Sequence, residues 1–205
     1  MPNENYLSIK DFATGQIKDK GSRFIGLAFP IQKEEEVKII LTNIKKKYHD
    51  ATHHCYAFSV GFDNKQIVRC CDDGEPSSTA GKPILGQIIA HHLQNILVVV
   101  VRYFGGTKLG VSGLINAYRE CAKTTLENAE IVQLERKLAA TVSFTYQQTN
   151  AVMQILKNFS ADIKENAWAD DKMKIICFLN KGVLENMTEQ LQSLKGVEFV
   201  WKEDV

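Results

Sequence analysis

Apolar positions along this chain recur at two spacings, and the switches between them mark out its elements. Val37, Ile40, Leu41 and Ile44 fall at helical spacing and predict a helix over residues 34–48. Glu34-Glu35-Glu36 at its start and Lys45-Lys46-Lys47 at its end suit the helix dipole, and the lysine triplet reads as solvated surface. A strand pair is expected around residues 17–31. Residues 55–60 and 66–71 read as a hairpin around Gly61-Phe62-Asp63-Asn64. A helix opening at Pro83 and reaching about Leu93 buries Ile84, Leu85, Ile88, Ile89 and Leu93. Residues 96–101 are an unbroken apolar run, read as a strand buried on both faces. Val111, Leu114, Ile115, Tyr118, Ala122 and Leu126 then form one stripe of a helix over residues 111–129.

The pattern restarts near Glu135. A strand at residues 138–144, a helix at 149–159, strands at 161–167 and 173–179, a helix carrying Val183, Leu184, Met187, Leu191 and Leu194, and a strand at 197–201 follow in order. β-α-β-β-α-β is the order of the split βαβ, ferredoxin-like unit. The fold class is therefore α+β, with domains expected at residues 1–132 and 133–205. Trp168 and Trp201 sit at strand ends, where packing is their ordinary use and base stacking the alternative.

Candidate chemistry gathers around the apolar strand. Arg102, Tyr103 and Phe104 end it, and Gly105-Gly106-Thr107-Lys108-Leu109-Gly110 leads into the next helix. Strand, glycine loop and helix start let backbone N–H groups face an anion at close range. The expected contacts are the backbone of Gly105, Gly106 and Gly110, with Arg102 and Lys108, and with Lys82, Ser77 and Thr79 alongside. The alternative is a tight turn whose glycines merely permit positive φ, with Arg102 paired to Asp72 or Asp73. The loop is not a Walker motif, because Gly81-Lys82 is followed by Pro83, and G-x-G-x-x-G is absent. Asp72, Asp73 and Glu75 allow a weaker alternative, a Mg²⁺ site; otherwise they form a solvated turn closed by small hydroxyls. No G-x-S-x-G elbow is present, and no catalytic residue is assigned.

Composition narrows the classes. With 205 residues, 44% hydrophobic and 24% charged, the chain reads as globular. A net charge of +1 provides no global basic field, so any cationic patch is local. No apolar segment approaches the ~20 residues of a membrane span, and the start Met-Pro-Asn-Glu-Asn is not a signal peptide. The expectation is a cytoplasmic protein with no membrane association, no cofactor and free thiols at its five cysteines. Cys70 and Cys71 are adjacent on a strand and point to opposite faces. His53, His54 and Cys55 lack the spacing of a metal site.

The two glycine loops, with Lys20-Gly21-Ser22-Arg23-Phe24-Ile25 upstream and His54-Cys55-Tyr56-Ala57 between, resemble the Impact/YigZ family. The signature element is Arg102-Tyr103-Phe104-Gly105-Gly106-Thr107-Lys108-Leu109-Gly110 followed by Gly113-Leu114-Ile115-Asn116-Ala117-Tyr118. The resemblance covers residues 1–130 most closely. Ser78 stands where that family commonly has glycine, and Asn116 where it commonly has arginine. The resemblance implies a first domain similar to the second domain of ribosomal protein S5. It implies a second domain similar to domain V of elongation factor G. Eukaryotic members regulate translation through a protein partner. The implied function is a non-enzymatic RNA- or ribosome-binding protein. The rivals are a small Mg²⁺-dependent enzyme acting on a phosphorylated ligand, and a protein-interaction regulator with no phosphate contact.

Overall fold

The computed structural model describes residues 5–169 and 171–202. They form two compact units, residues 6–134 and residues 135–202 together with Asn5.

The first unit is built on a five-stranded antiparallel sheet. Its strands are β2 (Ala13–Asp19), β3 (Ser22–Pro30), β4 (His53–Val60), β5 (Ile67–Cys71) and β6 (Ile96–Tyr103), in the order β2-β3-β6-β4-β5. The apolar run of β6 is central, and residues 96–101 have no exposed surface. The reason is alternation with both faces covered. Ile96, Val98 and Val100 join the core beneath α2 (Gly81–Ala90) and α3 (Gly110–Glu127), with Ile84, Ile88, Tyr118 and Leu126. Leu97, Val99 and Val101 join a second core on the opposite face, with Val37 and Ile44 of α1 (Glu34–Lys47). α1 begins with Glu36 accepting the N–H of Lys33 at 2.8 Å, one half of a capping box. Two strands lack a periodic signal strong enough to read from sequence: β1 (Asn5–Ile9) and β7 (Ile131–Glu135), which pair as a ribbon. The helix starting near Pro83 ends at Ala90 rather than Leu93, and α3 ends at Glu127 rather than Ala129.

The second unit is a four-stranded antiparallel sheet of β8 (Lys137–Thr145), β9 (Asp162–Ala169), β10 (Lys172–Asn180) and β11 (Glu198–Lys202). Its order is β11-β8-β10-β9. α4 (Thr149–Asn158) and α5 (Leu184–Gln192) cover one face. Val142, Phe144, Val152, Leu156, Ile175, Met187 and Leu191 form the core between sheet and helices. Trp201 packs on that core, whereas Trp168 is 53% exposed. No helix among the described residues is long and apolar enough to cross a membrane.

Candidate functional site

Four stretches of sequence meet at one end of the five-stranded sheet. β3 begins there at Ser22, β4 begins at His53, β5 ends at Cys71 and β6 ends at Tyr103. The β2–β3 turn is Lys20-Gly21, with φ of 43° and 81°. Positive φ at both central residues is the type I′ hairpin, whose twist matches that of the strands. The backbone of Gly105 lies against this turn. A Cβ placed on Gly105 would sit 1.9 Å from the carbonyl carbon of Gly21, so only glycine fits. Ser22 Oγ accepts the Gly105 N–H at 3.2 Å, and Thr52 Oγ1 accepts the Phe104 N–H at 3.1 Å. The glycine loop is thus fastened at its near end, and the Gly105 amide is occupied within the protein. The loop's far end differs. Gly106 and Gly110 are exposed with φ of 87° and 73°, and no side chain caps the start of α3.

Arg102 does not reach the surface. It is 5% exposed, and its guanidinium donates to Glu75 Oε1 at 2.6 Å and to Ser22 Oγ at 3.4 Å. The rings of Phe24 and Phe104 lie 5.4 and 5.6 Å from its central carbon. The acid it pairs with is Glu75, neither Asp72 nor Asp73. Tyr118 donates its hydroxyl to the same Glu75 oxygen at 2.8 Å. Burial, with the Cys55 thiol and Glu75 beside it, holds the phenol well above the ordinary tyrosine range, so it stays a donor. His53 reaches the cluster from β4. Its Nδ1 donates to the Asp73 carbonyl at 2.9 Å, and its Nε2 lies 3.8 Å from Glu75. The Cys55 thiol donates to the Asp72 carbonyl at 3.0 Å, and burial pushes its pKa up, so it is a poor nucleophile.

The three acids of the first loop diverge. Asp72 accepts three backbone N–H groups, from Ser78 at 2.8 Å, Ala80 at 3.0 Å and Gly81 at 2.8 Å. Partial burial alone would raise its pKa, but these N–H groups hold the carboxyl below the ordinary range. Asp72 thereby occupies the start of α2, which is closed to an external anion. Asp73 accepts from the His54 N–H at 2.7 Å and pairs with Lys45 at 3.1 Å. Glu75 faces inward to Arg102. The carboxylates do not converge on a cation, and no metal-binding cluster of three or more such groups occurs among the described residues. Thr79 is buried, its hydroxyl donated to the Pro76 carbonyl at 2.6 Å. Ser78 adopts φ of 64°, the left-handed conformation that glycine takes freely. Of the residues expected to face a ligand, Lys82, Ser77, Gly105, Gly106, Lys108 and Gly110 are exposed.

Sequence reasoning did not assign roles to Ser22, Thr52, His53 or Tyr118. Ser22 carried a signal, its place in the Lys20–Phe24 motif. Tyr118 carried none, because its hydroxyl hides in an apolar stripe. Lys20 and Arg23 on the hairpin are exposed beside the glycine loop, and Arg23 stacks over Tyr103 at 4.6 Å.

Comparison with known proteins is consistent across sources. Residues 20–126 match the model of the Impact N-terminal domain. The IMPACT family member YvyE of Bacillus subtilis is 40% identical over 65% of this chain and 60% of its own length. The IMPACT family member YigZ of Escherichia coli is 42% identical, and there the matched segment spans 49% of the relative. A Haemophilus influenzae IMPACT family member is 30% identical over 91% of this chain and 90% of its own. A crystal structure described as that of a hypothetical protein superposes with a TM-score of 0.78 at 27% identity, covering 99% of this chain and 100% of the other.

Proposed function

The chain belongs to the IMPACT family, and from that premise we propose a non-enzymatic protein that binds RNA or the ribosome and regulates translation. Residues 1–132 are read as the Impact-type domain, similar to the second domain of ribosomal protein S5. Residues 133–205 are read as a ferredoxin-like domain similar to domain V of elongation factor G, a reading supported by the order β11-β8-β10-β9. The contact surface is the outer part of the glycine loop: Gly106, Lys108, Gly110 and the uncapped start of α3, with Lys20 and Arg23 beside it, and Lys82 and Ser77 on the first loop.

One observation carries the proposal. Gly105 seats on the Lys20-Gly21 turn, so two exposed basic segments separated by about eighty residues lie against one another. Among the described residues, neither Lys20 nor Lys108 has a carboxylate partner. Unpaired cations beside free backbone N–H groups are the equipment for phosphate contact. Arg102 supports this surface from below and is not itself a contact.

The test is oligouridine binding measured across a salt series. Lys108→Ala and Lys20→Ala should each weaken binding and lower the salt slope by about 0.7, the increment of one phosphate contact on a single strand. Binding that is absent, or indifferent to both substitutions, together with failure to co-sediment with ribosomes, would overturn the proposal.

A further inference from the structure

The glycine loop carries an aromatic ring as well as charge. Phe104 stands between the end of β6 and Gly105, and it is 47% exposed. Its backbone is fastened on both sides of the peptide bond to Gly105. The Phe104 N–H is donated to Thr52 Oγ1 and the Gly105 N–H to Ser22 Oγ. One face of the ring lies over the guanidinium of Arg102, 5.6 Å from its central carbon, and Glu75 fixes that guanidinium at 2.6 Å. The ring is therefore placed in advance, with one face on a buried cation and the rest in water.

The neighbouring rings are used differently. The Tyr103 hydroxyl donates to Asp50 at 2.8 Å, and Arg23 covers the Tyr103 ring at 4.6 Å. Phe12, also exposed, precedes β2 at the strand end remote from the Lys20-Gly21 turn, and its ring packs on Phe29 at 4.9 Å. Of these three, Phe104 is the ring set among cations. Gly105, next in the chain, seats on the Lys20-Gly21 turn, and Lys108 follows in the same loop. Lys18 and Arg23 face each other across the hairpin behind that turn. The acids on these segments are Asp19 and Asp50, and the second of them holds the Tyr103 hydroxyl. Lys18, Lys20, Arg23 and Lys108 outnumber them.

We propose that Phe104 is a stacking platform for an unpaired nucleobase, which makes single-stranded RNA the ligand class of this surface. The inference rests on the phosphate-contact reading above and decides what that reading leaves open, the choice between single strand and duplex. The features select the occupant: a flat aromatic group for the ring, joined to an anion for the lysines. A base inside a duplex has both faces covered by its neighbours and offers the ring nothing. An unpaired base offers a face and brings its own phosphate. A purely electrostatic surface would instead favour the duplex, whose charge density is higher.

The experiment gives the full chain three ligands of equal length: oligouridine, a strand of the same backbone with abasic sites throughout, and a duplex. Oligouridine should bind about tenfold or more tightly than the abasic strand, and more tightly than the duplex. Phe104→Ala should remove about tenfold of the oligouridine affinity and leave the salt slope unchanged, since stacking releases no counterions. Phe104→Trp should keep the affinity, and Phe12→Ala should change nothing. The abasic strand should bind the native chain and Phe104→Ala equally. Unchanged thermal unfolding of each variant separates loss of the surface from loss of the fold. Oligouridine binding that depends on Lys108 and Lys20 but is indifferent to Phe104→Ala, or that the duplex matches, would overturn the stacking inference and leave the phosphate-contact reading standing. Failure of the native chain to bind any of the three ligands would overturn both.

Discussion

Replacing Glu75 with alanine should be among the most damaging single changes in the first unit. Arg102 and Glu75 meet at 2.6 Å with side chains 6% and 3% exposed. At an effective dielectric of about 20, unit charges about 4 Å apart attract by about 4 kcal/mol. Desolvation of both ions offsets most of that attraction, so the intact pair contributes little net stability. Removing one partner is different, because it leaves a buried guanidinium uncompensated, at a cost of about 3–5 kcal/mol. Tyr118 loses its acceptor in the same step. With a urea m-value of about 2 kcal/mol/M, the midpoint should fall by about 2 M. Both tryptophans, Trp168 and Trp201, lie in the second unit, so their fluorescence reports on residues 135–202 and circular dichroism is needed to follow the first. Arg102→Ala should cost a similar amount, whereas the double variant Glu75→Leu with Arg102→Met should recover much of the loss. If Arg102→Ala costs under about 1 kcal/mol and abolishes oligouridine binding, the arginine is a ligand contact and the structural account is wrong.

Other consequences follow from the same loops. Ser78→Gly should raise stability by about 1 kcal/mol in urea titration, since it relieves a left-handed serine without disturbing the backbone bond to Asp72. Gly105→Ala should strongly destabilise the fold because its Cβ meets the Gly21 backbone, while Gly106→Ala, with open space around it, should cost only about 1–2 kcal/mol of backbone strain; equal losses would refute the packing account. The folded-state pKa of Asp72 lies below its usual 3.8, so its contribution is present above that pH and is lost as pH falls through the folded value. Asp72→Asn should therefore flatten the acid limb of the stability profile below pH 3.8, and an unchanged limb would contradict the capping role. Thiol titration of the native protein should modify exposed Cys70 first, then half-buried Cys71. Cys55, Cys121 and Cys177 should react only on unfolding, since burial pushes Cys121 up to about 12 and Cys177 up to about 11.

The elements that could be read from sequence are those whose burial imposes a period. β6 was legible because helices cover both faces of the sheet, and this forces every residue from Ile96 to Val101 to be apolar. The stripes of α1 and α3 were legible because each has one buried side, although Val111, expected at the head of the α3 stripe, is 60% exposed. β1 and β7 were not: β1 buries Ser8 and Ile9, but they are adjacent residues in a five-residue strand and show no period. In β7 the positions merely alternate between exposed and half-buried.

The site divides along the same line. Glycine marks a backbone requirement, and the glycines of the second loop are indeed where the chain is left-handed or in close contact. A charge carries no such local mark. Arg102 ends an apolar strand in the sequence, which suggests that its charge emerges at the surface. Whether it does depends on a carboxylate twenty-seven residues away and a tyrosine on a third element. Once Glu75 takes that charge inward, the phosphate-contact surface proposed here must draw its cations from elsewhere. The Lys20-Gly21 turn, held against Gly105, is the segment placed to supply them. The upstream motif and the glycine loop therefore belong to one surface, joined by a glycine-to-glycine contact that neither segment reveals alone.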